Sequence, residues 1–140
     1  MTLVDVEALV SQYLRAQSEV TAYVGQRVYT ALPDDKTFPL VRITRIGGVP
    51  PMSRPMHVDA AHLQIDVFGG SKATTLDTID AVREELAKIV DEDPVQPLGV
   101  VCGVRFGPLA YLPDETFKPA KPRYVLDVTV TVRPAPLPTT

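Results

Sequence analysis

The chain has 140 residues, 45% of them hydrophobic and 22% charged, with a formal net charge of −3. That length suits one domain with a real core, which folding at this size builds by burying roughly two thirds of the unfolded chain's surface. The charge balance speaks against a general nucleic-acid binder. A single cysteine, Cys102, excludes an internal disulfide, and two separated histidines make no zinc site with it at recognised spacings. The N-terminus carries acids where a signal peptide needs basic residues, and no apolar run approaches the ~20 residues of a bilayer span. A soluble protein made in a cytoplasm is expected.

Val6, Leu9, Val10, Tyr13 and Leu14 fall on one helical stripe, so the spacing predicts a helix over about residues 5–16. Asp5 and Glu7 near its start and Arg15 near its end suit the macrodipole. Ser18 reads as the cap of a second helix over residues 19–24, stopped by Gly25. The period then changes to two. Residues 27–32 read as a short strand, the Pro33-Asp34-Asp35 turn follows, and residues 40–46 read as a second strand paired with the first in a hairpin. Residues 47–57, GGVPPMSRPMH, read as a long loop, because proline cannot donate to a ladder.

Residues 58–68 alternate, with Ala61, Leu63, Ile65 and Val67 on the core face and His62, Gln64, Asp66 and Phe68 on the other. After Gly69-Gly70, Ser71 caps a helix whose apolar face holds Leu76, Ile79, Val82, Leu86, Ile89 and Val90. Asp80 with Arg83 and Glu84 with Lys88 are the expected surface pairs. A strand follows over residues 99–112, bent near Gly107-Pro108, with Val100, Cys102, Val104 and Phe106 inward. A proline-rich loop, residues 113–122, precedes a last strand in which Tyr124, Leu126, Val128, Val130 and Val132 alternate with polar neighbours. Domain organisation follows as one unit over residues 1–133 and a flexible proline-rich tail over 134–140. The fold class is α+β: two layers, a mainly antiparallel mixed sheet of about five strands covered on one face by helices, in the order α-α-β-β-β-α-β-β.

Chemistry-bearing patterns are sparse. Phe68-Gly-Gly-Ser-Lys72 stands between a strand and a helix, where backbone donors can cradle phosphate, but the order is wrong for a P-loop and Ile65 stands where its first glycine belongs. A glycine turn with a serine cap accounts for it. Cys102 in an apolar alternation reads as a core thiol, and His57 and His62 as solvated side chains. Asp34, Asp35 and the Asp91-Glu92-Asp93 run read as solvated acids. No catalytic, metal or cofactor-binding residues are assigned, and the residues point away from an enzyme.

Gly99, Gly103 and Gly107 recur every fourth residue, which on a regular strand places them on one bare face. Such a face admits another backbone, although bends explain strand glycines equally well. Arg105 breaks any membrane reading of that spacing. The two long loops are the other oddity: connections of this length are usually functional or disordered. One carries Met52 and Met56 around Arg54, the other Phe117 and Lys118. Either they are mobile in solvent, or a partner surface orders them.

The segments Val24-Gly25-x-Arg27-Val28-Tyr29 and Pro122-Arg123-Tyr124, with the N-terminal helix and the alternating strand that runs through FGGSK into a helix, resemble the tail terminator, or tail completion, proteins of long-tailed (siphovirus-type) bacteriophages. The resemblance spans about residues 4–133 and is nearest to phages of actinobacteria. It implies an α+β structural protein of the virion, without catalysis or cofactor, assembled in the host cytoplasm and located at the head–tail junction. Its partners would be copies of itself in a ring, generally a hexamer, the major tail tube protein and a head–tail connector or stopper. Such a ring ends tube polymerisation and offers the surface for head joining, and DNA crosses its lumen without sequence-specific binding. No membrane is involved. Subunit or partner contacts are expected among Met52, Arg54, Met56, Gly103, Arg105, Phe117 and Lys118. The alternatives are a connector or stopper of the neck and, from another class, a small ligand-binding or hydrolytic enzyme using the Gly69 to Lys72 turn.

Overall fold

The Asp5 carboxylate accepts the Ala8 N–H at 3.0 Å and so starts the first helix, α1 (Val6–Arg15). In the computed structural model, which describes residues 3–49, 58–92, 95–96 and 98–134, α1 buries Val6, Leu9, Val10, Tyr13 and Leu14. That is the stripe read from the sequence. Ser11 is buried beside it without an unpaired hydroxyl, because Oγ donates to the Ala8 carbonyl at 3.0 Å. The second helix, α2 (Ser18–Val24), begins one residue earlier than expected. Ser18 is its first helical residue and not its cap, and Gln17 in the cap position makes no side-chain capping bond. Gly25 ends α2 at a φ of 60°, as expected of a glycine stop.

The strands are β1 (Val28–Tyr29), β2 (Leu40–Val49), β3 (Asp59–Phe68), β4 (Val95–Gln96), β5 (Gly99–Tyr111) and β6 (Arg123–Arg133). They form one mixed sheet in the order β1-β2-β3-β6-β5-β4. The class and the element order agree with the α+β reading. The hairpin expected between the first two strands does not form: β1 is only two residues long and pairs with β2 in parallel. The connection over residues 30–39 carries the chain back to the same end of the sheet, and arginines hold that geometry. Arg27 Nε donates to the Pro39 carbonyl at 2.8 Å, and Arg15 Nη1 donates to the Val28 carbonyl at 2.8 Å.

Strand β2 runs three residues past its expected end, through Gly47 and Gly48. The register slips between Arg45 and Gly47, a bulge that turns Ile46 outward. A Cβ at Gly48 would collide with the Ala60 carbonyl oxygen, and φ there is 99°. Glycine at this site therefore continues the ladder where it was expected to end it. Most of the loop expected from residue 47 lies outside the described residues.

Helix α3 (Lys72–Ala87) is capped by Ser71, whose Oγ accepts the Thr74 N–H at 3.2 Å. Its buried face is rotated from the expected one. Ile79, Val82 and Leu86 are inside, but Leu76 is 42% exposed and Thr75 and Thr78 take the interior positions. Both threonine hydroxyls bond back to the preceding turn, Thr78 Oγ1 to the Thr74 carbonyl at 2.8 Å, so they enter the core satisfied. A Cβ at Gly69 would strike Thr75, so Gly69 is a packing requirement. Arg83 pairs with Asp80 at 3.2 Å as expected, whereas Lys88 reaches Glu85 at 3.4 Å and not Glu84. A four-residue helix, α4 (Ile89–Glu92), follows and buries Ile89.

The helices cover one sheet face, where Val41, Ile43, Ala61, Leu63, Ile65, Val67, Leu126, Val128, Val130 and Val132 are buried beneath them. Tyr13 ties α1 to α3 by donating its hydroxyl to the Glu85 carbonyl at 2.8 Å. In β5 the expected inward set is corrected. The register slips between Val101 and Gly103, which places Cys102 in a bulge and leaves it exposed. Val101, opposite Val132, replaces it in the core, and Val104 and Phe106 resume the inward positions half-buried. The same bulge separates the three glycines. Gly99 lies against Val4 of the helix layer, while Gly103 and Gly107 face the other way, beside Thr131 and Asp127 respectively. A second slip, between Phe106 and Leu109, is the bend expected at Gly107-Pro108. Strand β4 pairs only with Gly99 and Val100, so among the described residues β5 has no outer partner beyond them.

Candidate interaction surface

The sheet face opposite the helices carries the polar half of each alternation. By register it holds Arg42, Thr44, Gln64, Asp66, Asp127, Thr129, Thr131 and, on β5, Gly103 and Arg105. Nothing lies within 4 Å of a Cβ built at Gly103, and Arg105 is exposed. His62 and Asp127 approach to 3.8 Å in the open middle of this face.

At one end the face is closed. Asp66 is fully buried, with a side-chain exposure of 0%, and two arginines hold it. Arg42 Nε and Nη2 donate to Oδ2 at 3.0 and 2.8 Å, and Arg123 Nε and Nη2 donate to Oδ1 at 3.2 and 2.9 Å. Gln64 Nε2 adds a donor at 3.1 Å. A buried carboxylate is tolerable only when its lone pairs are used in this way. Both guanidinium groups lie over the Phe68 ring, at 5.6 and 5.5 Å. Phe68 leads to Phe38, at 6.3 Å between centroids, and Phe38 to Phe117, edge-on at 5.6 Å. Lys121 sits 4.3 Å above Phe38. Together they fasten the loops over residues 30–39 and 112–122 onto the sheet.

The Asp114 carboxyl is held below the ordinary aspartate range, first by the hydroxyl and N–H of Thr116, which donate to it at 2.6 and 3.0 Å, and then by the field of Arg123 and Arg42. Two cations against the one buried carboxylate of Asp66 leave positive potential toward this loop, which Asp114 partly meets.

A second ionic node sits at the other end, where β2 and β3 meet residues 50–57. Arg45 Nη1 and Nη2 donate to both oxygens of Asp59 at 2.7 Å, and its Nε donates to the Gly47 carbonyl at 3.1 Å. The Asp59 hydrogen bonds raise the Arg45 pKa against the opposing effect of burial, and the charges of Asp59 and Glu7 raise it further. Glu7 of α1 accepts the Arg45 N–H at 2.7 Å. The root of that segment is therefore clamped across the hairpin and to the helix layer.

Among the described residues, Gly103 and Arg105 do not share a patch with Phe117 and Lys118. Gly103 and Arg105 lie on the open part of the bare face, opposite Thr131 and Thr129, six or more positions along β6 from Arg123. Phe117, 36% exposed, packs within its own chain against Phe38, and Lys118 is exposed beside it. The second loop is thus held in part by contacts within its own chain. Met52, Arg54 and Met56 lie outside the described residues. Sequence reading missed Arg42, Asp66, Arg123, Phe38 and Lys121. Only the burial of an aspartate could have disclosed them, because its partners stand 24 and 57 residues away.

Among the described residues no group of three or more His, Cys, Asp or Glu is placed to hold a metal, and no helix is long and apolar enough to cross a membrane. Lys72, expected in the glycine turn, is the first residue of α3 and directs its ammonium to the Tyr111 ring at 4.5 Å. The thiol of Cys102 has only a long contact, 3.9 Å, to the Val100 carbonyl.

Comparison with curated proteins returns no match. Among solved structures, a chain described as "Virion of native gene transfer agent (GTA) particle" has the same fold, with a TM-score of 0.73 at 24% identity over 91% of this chain and 94% of that one. The family model for tail completion protein gp17 matches residues 8–133, from within α1 to the end of β6. The chain therefore belongs to the tail completion protein gp17 family, whose members are structural proteins of the virion tail and not enzymes.

Proposed function

We propose that copies of this chain close into a ring, of hexameric order, at the head-proximal end of the tail tube, where the ring ends tube polymerisation and presents the surface to which the head connector or stopper joins. DNA passes through its lumen without sequence-specific contacts. The observation that carries this reading is the family match, which takes in nearly the whole of the fold. A chain of the same fold in a gene transfer agent virion supports it. The protomer presents unlike surfaces, a helix layer on one side and a mostly polar sheet face on the other, which is compatible with head-to-tail contacts between successive copies.

Negative-stain images of the purified protein, alone and mixed with the tail tube protein of its virion, test it. Rings with a central hole, or tubes capped at one end, are expected. A particle that stays monomeric at every concentration and leaves tube length unchanged would remove the proposal.

A further inference from the structure

The helix layer is narrower than the sheet. Beyond α3 the core-side residues of β5 are only partly covered, and a groove of about 250 Å³ opens there between Leu76 and Ile79 of the helix and Leu109 and Leu126 of the strands. Leu76 and Leu109 are 42% and 44% exposed across it from one another. Asp77 and Asp80 stand on its helical rim. Asp80 is engaged by Arg83, whereas Asp77 forms no ion pair among the described residues.

Residues 50–57, PPMSRPMH, carry the matching chemistry in sequence: Met52 and Met56 flank Arg54 at a spacing of two, so an extended backbone presents all three on one side. Methionine fits irregular apolar gaps, and one cation between two such groups answers one acid on a leucine-lined rim.

The same molecule cannot make this match. Leu126 pairs with Ile65, six residues along β3 from Asp59, or about 20 Å from the hairpin root. Met56 is two residues from Val58 and Met52 three from Val49, which allows their backbones at most about 11 Å of reach. The clamp of Arg45 on Asp59 and Gly47 fixes that root.

We infer that the groove between α3 and β5 receives the 50–57 segment of a second copy of this chain, with Met52 and Met56 against Leu76 and Leu109 and Arg54 against Asp77. The contact joins two different surfaces and leaves both free at the ends of a pair, so it propagates head to tail. It rests on the ring reading and assigns that ring its subunit contact.

Two measurements on the full chain test it, alone and with the tail tube protein. In the first, Cys102→Ser protein carrying Met56→Cys is mixed with Cys102→Ser protein carrying Leu109→Cys, under mild oxidation. A disulfide between the two chains is expected, and neither variant alone should give it. In the second, mass photometry follows assembly of Arg54→Asp, Asp77→Arg and the double variant. Each single change should weaken assembly tenfold or more, and the double should return to within about threefold of the starting protein. Rings that form without the cross-link, and in which the charge changes have no effect, overturn this contact while leaving the ring intact. Absence of any ring, with or without tube protein, overturns both. All of the groove substitutions lie on exposed side chains, and circular dichroism of each variant confirms its fold.

Discussion

Replacing Asp66 by asparagine keeps the shape of the side chain and removes the one charge that both arginines share. In the present arrangement four guanidinium N–H groups and one amide end on its two oxygens. An asparagine must turn its NH2 group toward one arginine, which sacrifices two charge-assisted bonds and leaves two cations facing each other across a neutral group. Hydrogen bonds to charged groups contribute about 1.5–3 kcal/mol each, and removing one partner of a fully buried pair costs about 3–5 kcal/mol. Arg42 and Arg123 retain 30% and 22% exposure, so water recovers part of that loss. The expected destabilisation is about 2–4 kcal/mol, or a fall in Tm of roughly 10 °C for a domain of this size. Urea and thermal unfolding measure the first quantity. Amide exchange measures a second: the bonds from Leu112 N–H to the Arg123 carbonyl and between Asp114 and Lys121 should open faster in the variant, because Arg123 holds that loop to the sheet. An unchanged Tm together with unchanged exchange at Leu112 would falsify the claim that this node fastens the loop.

Alanine at Gly48 should cost about 2 kcal/mol or more, since it combines a φ of 99° with a collision against the Ala60 carbonyl; a melting curve superposable on that of the parent protein would contradict the extended β2 ladder. Native protein should react with one equivalent of a thiol reagent per chain without denaturant, because the β5 bulge turns Cys102 outward, and reaction only on unfolding would return that residue to the core. Asp114 has a lowered folded pKa, so its contribution to stability is fully present above the unfolded value and fades as the pH falls through the folded one. Carboxyl chemical shifts should accordingly show its midpoint below the ordinary 3.8, and Thr116→Ala should move that midpoint upward; a midpoint at or above 3.8 would contradict the Thr116 contacts.

Features with a local cause were legible in the sequence. The core face of β3 and the Ser71 cap follow from alternation and from one side chain meeting a nearby N–H, and both stand as expected. The last strand does too. What could not be read was decided by distant chain. The parallel pairing of β1 depends on arginine contacts 12 and 13 residues away, and the position of Cys102 on a register slip against β6. Periodicity presumes an unbroken ladder, so a single bulge inverted the reading of Cys102 and Gly99 together. Leu76 stays outside because two threonines that satisfy themselves on the helix backbone take the interior positions, which hydrophobicity alone does not disclose. The Asp66 node looked like the polar half of an ordinary strand. Its clue was chemical and not periodic, an acid between a buried isoleucine and valine, and that clue names no partner. Of the contact residues expected from the loops and glycines, Phe117 packs edge-on against Phe38 of its own chain and keeps 36% exposure.

The irregularity of β5 has a bearing on how the chain survives its own synthesis. A long strand at a sheet margin is a template for runaway stacking, and hazard grows with the length of uninterrupted, apolar ladder it offers. Here the bulge at Cys102 and the bend at Gly107-Pro108 divide the ladder, so that its longest unbroken stretch against β6 is residues 103–106, with the Arg105 charge among them. Four residues are too few to seed a cross-β fibre, for which six or seven are typical. Among the described residues the margin beyond β4 is thus unpaired yet broken against indiscriminate growth, and deletion of Cys102, which would join the two halves of the ladder, should raise precipitation relative to the parent protein, as followed by light scattering.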